Sequence, residues 1–142
     1  MCSCFGQNLD VPFTSQIPGG LFPGTRIWIR GAMHHCAKKF TIDFQCGPVA
    51  EKDDSAFHIS MRPGEGVVRN TFQNYEWGPE ERTSSFPFVP GQPYDIEIEV
   101  HNEKFSVRIN GEHFFDYIHR IPLDMISYIL IVGDTTLHYV GY

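Results

Sequence analysis

Three short segments between residues 57 and 82 carry the side chains whose types and spacing could do chemistry. In the first, residues 57–62, polar and apolar residues alternate. Alternation of this kind places His58, Ser60 and Arg62 on one face of a β-strand, as hydrogen-bonding groups about 7 Å apart. The second segment contributes Asn70. The third, residues 77–82, contributes the aromatic ring of Trp77, the acid Glu80 and the base Arg82.

These side chains together have the chemistry that a sugar site requires. A pyranose offers hydroxyl groups that donate and accept hydrogen bonds, and one face of C–H bonds that packs on an aromatic ring such as Trp77. Glu80 accepts from hydroxyls, Arg62 donates, and Asn70 and His58 do either, depending on orientation and tautomer. Hydrogen bonds to charged partners are the strongest of these, which helps a water-like ligand compete with water.

The elements that position these groups are β-strands. Period-two alternation recurs around residues 25–31, 40–45, 94–100 and 105–110, with Pro-Gly and Asn-Gly turn signals between the segments. This pattern is typical of half-buried antiparallel strands, and Asn110-Gly111 predicts a tight hairpin with positive φ at both positions. No stretch with a sustained helical period is present. The sequence therefore predicts an all-β fold, a two-sheet antiparallel sandwich.

Length and charge limit the function classes. A chain of 142 residues is one domain that buries an adequate core, and its longest apolar run, around residues 129–132, is too short to span a membrane. Seventeen acidic against eleven basic residues give a net charge of −6, so a nucleic-acid partner is not expected. No signal peptide is visible, which predicts synthesis in the cytoplasm and therefore four free thiols. These are Cys2, Cys4, Cys36 and Cys46.

Two other features of the sequence could indicate a metal site or an enzyme, but each has a simpler structural interpretation. The run His34-His35-Cys36 has no second ligand cluster, so no metal and no cofactor are expected. Asp95, Glu97 and Glu99 lie on one strand face at a spacing that a glycosidase could use, but an acidic row opposite an apolar row is an ordinary solvated face. We therefore expect no enzyme.

Joined in order, the three segments resemble a known family. The patterns His58-x-Ser60-x-Arg62, Val68-x-Asn70 and Trp77-x-x-Glu80-x-Arg82 are similar to the galactoside-binding signature of the galectins. Similar residues continue along the chain, from Val11-Pro12-Phe13 to Gly133-Asp134. The resemblance covers residues 11–142 as a carbohydrate-recognition domain and leaves residues 1–10 as an N-terminal extension, which we expect to be mobile.

The resemblance implies a jelly-roll β-sandwich that binds β-galactosides, of lactose or N-acetyllactosamine type, in a shallow groove without metal. Carried over by position, His58 and Arg62 hold the axial 4-hydroxyl, and Asn70 and Glu80 hold the 6-hydroxyl. Trp77 stacks under the ring, and Arg82 supports Glu80 and contacts the neighbouring sugar. Glu80 is expected to lie between the two arginines. The implied partners are glycans and glycoproteins that contain β-galactosides. The resemblance also implies a homodimer or a tandem pair of domains, and export that does not depend on a signal peptide.

The sequence departs from the family pattern at two places. Ser60 stands where galectins usually have asparagine, and the segment between Arg62 and Val68 is shorter than in many galectins. Because serine reaches less far than asparagine, Ser60→Asn is predicted to strengthen galactoside binding. The same departure keeps a second interpretation open, in which the chain is a galectin-related structural or protein-interaction domain with weakened sugar binding.

Overall fold

The structure, a computed structural model, describes residues 8–142 and the backbone of a short strand at Cys2–Ser3. Within that part of the chain, thirteen strands and one single-turn 3-10 helix, Leu123–Met125, form the molecule. The strands are β1 Cys2–Ser3, β2 Phe13–Gln16, β3 Arg26–Met33, β4 Phe40–Gln45, β5 Ser55–Arg62, β6 Gly66–Gln73, β7 Glu76–Trp77, β8 Glu81–Thr83, β9 Pro93–Val100, β10 Lys104–Ile109, β11 Glu112–Ile118, β12 Tyr128–Gly133 and β13 Thr135–Gly141.

The strands form two antiparallel sheets. One, which we call the grooved sheet, has the order β2-β12-β4-β5-β6-β7, with β8 also paired to β6. The other, which we call the opposite sheet, has the order β1-β13-β3-β9-β10-β11. The all-β, two-sheet antiparallel architecture predicted from alternation and turn spacing is confirmed. The predicted mobility of residues 1–10 stays a prediction: within this range Leu9 donates its N–H to the Leu137 carbonyl at 2.8 Å, while residues 4–7 and the thiols of Cys2 and Cys4 lie outside the described part of the chain.

The core lies between the sheets, where the apolar half of each alternating strand points inward. In β5, Phe57 is fully buried, and its ring stacks on Phe105 of β10 at 4.6 Å and on Tyr117 of β11 at 4.7 Å. Burial of one such large apolar side chain is worth roughly 1.5–3 kcal/mol. This packing fixes which face of β5 points out of the sandwich, and therefore where the polar residues of that strand lie.

Tight turns set the register of the hairpins. Asn110 and Gly111 join β10 to β11 with φ of 52° and 86°, which confirms the predicted Asn-Gly turn. Asn74 and Tyr75 join β6 to β7 in the same left-handed region, with φ of 55° and 64°. The second turn places Trp77 directly across from Phe72.

Candidate functional site

A groove of about 790 Å³ runs across the outer face of the grooved sheet. Five of the seven predicted site residues line it, namely His58, Arg62, Asn70, Trp77 and Glu80. Strand register brings them together, because β5 and β6 pair so that His58 lies opposite Asn70. The other lining residues come from β4, β5, β6, β12 and adjoining loops, and they are Lys39, Thr41, Asp43, Gln45, Ala50, Glu51, Ser55, Val68, Phe72, Gly78, Leu130 and Val132.

His58 is held by a carboxylate from the neighbouring strand. Its Nδ1 lies 2.8 Å from Oδ1 of Asp43, and the same oxygen accepts from the Ser55 hydroxyl at 2.6 Å. Since a carboxylate only accepts, the Nδ1 atom of His58 carries the proton. In a neutral ring the other nitrogen, Nε2, is then an acceptor. Asp43 was not identified from the sequence, although its alternation with Ile42 and Phe44 places it on the grooved face.

Ser60 lies beneath Arg62. Ser60 is completely buried, and its hydroxyl accepts a hydrogen bond from Nε of Arg62 at 3.0 Å. The predicted common face of His58, Ser60 and Arg62 is therefore present, but Ser60 is not among the residues that line the groove. Its structural contact is with Arg62, whose guanidinium extends over it.

Beside the groove, outside its lining, lie Arg82 and an acid that sequence reasoning did not assign. Glu80 pairs with Arg82 through Oε1 and Nη2 at 3.0 Å. The acid between the two arginines is Glu65, whose Oε1 lies 3.8 Å from Nη1 of Arg62 and 4.0 Å from Nη1 of Arg82. The expectation that Glu80 lies between the arginines is thus replaced by a chain of alternating charges. The short turn after Arg62 places Glu65 there, and its pairing depends on tertiary contact with Arg82.

Trp77 forms the aromatic side of the groove. The residue is 52% exposed, which is unusual for a tryptophan in a well-packed domain. Its ring lies 4.7 Å from the His58 ring and 5.0 Å from the Phe72 ring, at tilts of 56° and 54°. Phe72 and His58 therefore fix the indole edge from two sides, and the exposed fraction is available to a ligand.

Asn70 is a nearly buried polar residue of the groove, with 3% of its surface exposed. Its Oδ1 accepts from the backbone N–H of Thr71 at 2.8 Å and from Nη1 of Arg120 at 3.1 Å. Its Nδ2 donates to the carbonyl of Gly78 at 2.8 Å. Arg120 also pairs with Glu81 at 2.9 Å. Nothing in the sequence indicated that this arginine contacts Asn70.

The loop between β4 and β5 closes one side of the groove and was not assigned from the sequence. Within it, the Asp53 carboxylate accepts from the backbone N–H of Val49 at 2.7 Å. Ala50 and Glu51 line the groove, and Glu51 has a left-handed φ of 66°. At the start of the loop, burial raises the pKa of the Cys46 thiol, and the nearby acids Asp54 and Asp53 raise it further.

The remaining predictions concern residues away from the groove. Asp95, Glu97 and Glu99 lie on β9 of the opposite sheet, where Glu97 and Glu99 pair with Arg26 at 2.9 and 3.0 Å. They form a solvent-facing row that does not converge with the groove. Cys36 and Cys46 are free thiols, as expected. Within residues 8–142 no three His, Cys, Asp or Glu side chains are placed to hold a metal ion, and no helix there is long and apolar enough to cross a membrane.

Comparison with known proteins places the chain in one family. The family model described as galactoside-binding lectin matches residues 12–142. Galectin-4 of Sus scrofa is 41% identical over 94% of this chain, which corresponds to 41% of that protein, and galectin-3 of Mus musculus is 39% identical over 91% of this chain and 49% of that protein. The chain thus spans less than half the length of the curated relatives it matches.

Solved structures agree with this assignment. A variant of human galectin-16 superposes with a TM-score of 0.87 at 28% identity, covering 94% of this chain and 96% of that one. Sheep galectin-11 in complex with glycerol gives the same TM-score at 25% identity, covering 94% of this chain and 98% of that one. The chain belongs to the galactoside-binding lectins, or galectins, a family of carbohydrate-binding proteins without enzymatic activity.

Proposed function

We propose that this domain is a lectin that binds β-galactosides of the lactose and N-acetyllactosamine type in the groove, without a metal and without catalysis. The observation that carries the proposal is the convergence of donors, acceptors and an aromatic plate in one groove, contributed by His58, Arg62, Asn70, Glu80 and Trp77. Two relatives, from Haemonchus contortus and Caenorhabditis elegans, are named as β-galactoside-binding lectins, at 38% and 36% identity.

The axial 4-hydroxyl of galactose fits between His58 and Arg62. Because Asp43 holds the proton on Nδ1 of His58, the neutral ring accepts through Nε2, while Arg62 only donates. A hydroxyl between these two groups both donates and accepts, so both of its functions are satisfied. Glucose has an equatorial 4-hydroxyl, which points in a different direction. This pair is therefore the basis for selecting galactose over glucose.

The other polar groups hold the rest of the sugar. Asn70 and Glu80 flank the position of the 6-hydroxyl, and Trp77 packs against the C–H face of the ring. Arg82 holds Glu80 and contacts the neighbouring sugar. Each hydrogen bond to a charged group is worth about 1.5–3 kcal/mol when desolvated. Since Glu80 and Arg82 are both nearly half exposed, their contribution is at the low end of that range.

A second candidate, a galectin-related interaction domain with weakened sugar binding, is favoured by one observation. Ser60 lies wholly beneath Arg62, so this position supplies Arg62 with an acceptor and gives the groove no amide of its own. The groove keeps the five recognition groups that line it, and we therefore place lectin function first; they are His58, Arg62, Asn70, Trp77 and Glu80.

The test is calorimetric titration with lactose and with cellobiose, two disaccharides that differ only in the configuration at C4 of the non-reducing sugar. Lactose is expected to bind and cellobiose to bind far more weakly, with or without a chelator. A matched pair of variants, Trp77→Ala in the groove and Trp28→Ala on the opposite sheet, separates site effects from general effects of losing a tryptophan. Equal affinity for both sugars, or a loss of binding with the chelator, would contradict the proposal.

The proposal extends to partners and location. Galactose-bearing glycans and glycoproteins are the ligands, and a homodimer or a tandem pair of such domains would allow them to be cross-linked. We propose synthesis in the cytoplasm, in accord with the free Cys36 and Cys46 thiols, and export independent of a signal peptide. Sedimentation of the full-length protein and secretion assays with the signal-peptide pathway blocked test these two points.

A further inference from the structure

We propose that Arg120 fixes the orientation of the Asn70 amide, so that Asn70 offers only an N–H donor to the groove and the discrimination that Asn70 makes for the 6-hydroxyl depends on Arg120. Arg120 is in this sense a positioning residue, because it acts through Asn70. The inference rests on the proposed function of the same groove.

The hydrogen bonds around Asn70 have one consistent arrangement. Two donors converge on its Oδ1, the backbone N–H of Thr71 and Nη1 of Arg120, while an acceptor, the carbonyl of Gly78, faces its Nδ2. Turning the amide over would direct its NH₂ group at two donors and its oxygen at another oxygen. Because an arginine has five donors and no acceptor, Arg120 cannot adapt to the reversed amide.

Arg120 is itself held in place from three sides. Its Nη2 donates to Glu81 at 2.9 Å, and its guanidinium carbon lies 5.0 Å from the centroid of the Tyr117 ring. The third side is the backbone at Gly78, where a Cβ would lie 3.0 Å from Nη1 of Arg120 and 3.3 Å from Oδ1 of Asn70. A glycine at this position therefore gives the arginine room to reach the amide.

The consequence for the ligand is a complementary pair of groups. Nδ2 of Asn70 has two hydrogens, of which one is used by Gly78 and the other is left for the groove. The ionised carboxylate of Glu80, which also lines the groove, accepts hydrogen bonds and donates none. A hydroxyl between them accepts from Asn70 and donates to Glu80, whereas a sugar without that hydroxyl leaves a nearly buried N–H unpaired.

The experiment compares two ligands on two proteins. Lactose and its analogue that lacks the hydroxyl on galactose C6 are titrated by calorimetry into the parent domain and into Arg120→Met, which keeps an unbranched apolar stem and removes every donor. We expect the parent to prefer lactose by about 10-fold, as for a buried donor left unpaired. In Arg120→Met the amide keeps only the Thr71 and Gly78 contacts and is held less firmly. The preference is therefore expected to fall to about 2-fold, while affinity for the analogue stays close to that of the parent.

Control variants separate positioning from folding. Arg120→Lys keeps the charge without the fork that spans Asn70 and Glu81, so its preference should be intermediate. Arg108→Met removes an exposed arginine from β10 of the opposite sheet and should leave both affinities unchanged. If Arg120→Met does not fold, Glu81→Gln tests the same point, because it removes the charge that holds Arg120, and its preference should also fall.

The outcomes are distinct for the two proposals. Equal losses for both ligands in the folded variants, an unchanged preference, or a parent domain without preference for the 6-hydroxyl would each overturn the role of Arg120 while leaving galactoside binding intact. A parent domain that does not bind lactose would overturn the proposed function and this inference with it.

Discussion

Replacing Ser60 with asparagine is expected to strengthen galactoside binding. Ser60 is completely buried beneath Arg62, and its hydroxyl accepts from Nε of that arginine at 3.0 Å. Its cross-strand neighbours, Thr41 and Val68, both line the groove, so a longer side chain at position 60 is expected to extend toward it. An asparagine keeps an oxygen for Arg62 and adds an NH₂ group about one bond farther toward the 4-hydroxyl.

The magnitude follows from what is gained and what must move. A net hydrogen bond contributes about 0.5–1.5 kcal/mol. The added atoms require Arg62 to shift outward, and this shift is inexpensive, because the arginine side chain is 26% exposed and its ion pair with Glu65 is long, at 3.8 Å, and exposed to solvent. That free energy corresponds to an increase in galactoside affinity of roughly 2- to 10-fold.

Calorimetry with lactose decides the matter, with Ser60→Ala as the matched control. The alanine variant loses the acceptor beneath Arg62 without adding any group, so it should bind about 2- to 10-fold more weakly than the parent. The two variants thus change affinity in opposite directions from one position. Equal or weaker binding by Ser60→Asn, with an unchanged melting temperature, would refute this reasoning and favour a groove adapted to another ligand.

Three further predictions concern the groove and a surface cluster. Trp77→Ala should reduce lactose affinity about 10-fold or more, because it removes the exposed plate, and affinity equal to the parent by calorimetry would make Trp77 a packing residue. Glu80→Gln should cost about 1–2 kcal/mol of binding, because it removes a charged acceptor, while Glu65→Gln, which alters only the support of the arginines, should cost less. Hydrogen bonding from His113 holds the pKa of Asp116 at about 2, so this carboxylate stabilises the fold above the ordinary pKa of aspartate and the contribution is lost as pH falls toward 2. In His113→Ala that pKa, measured by carboxyl NMR titration, should rise, and an unchanged value would exclude the hydrogen bond as its main cause.

Strand alternation predicted much of the fold and the common face of the β5 site residues. Phe57, Ile59 and Met61 are buried on one side of β5, and His58 and Arg62 face the groove on the other, because the side-chain period of a strand is fixed at two. The Asn110-Gly111 turn was likewise predicted from a local signal, whereas the turn at Asn74 and Tyr75 was not predicted. Such local rules are sufficient to place a residue on a face.

The partners of the site residues could not be predicted in this way. Asp43 meets His58 through the pairing of two strands, and Glu65 meets Arg82 although β6 and β7 lie between them in the chain. Arg120 meets Asn70 across fifty residues of chain. Each contact depends on strand order and register, which no single alternating segment specifies. Alternation placed Ser60 on the groove side of β5, but it could not show that Arg62 covers this serine, because that depends on where the long arginine side chain lies.

These partners matter because a sugar is a poor competitor for water. Each polar recognition group is held by a partner that does not itself bind the sugar ring. The pairs are His58 with Asp43, Arg62 with Ser60, Asn70 with Arg120, and Glu80 with Arg82. A group already fixed as donor or acceptor loses less conformational freedom on binding and cannot turn to satisfy a wrong hydroxyl. Substitutions behind the groove should therefore reduce discrimination between sugars more than they reduce stability, which distinguishes a preorganised lectin site from a polar patch with the same residues.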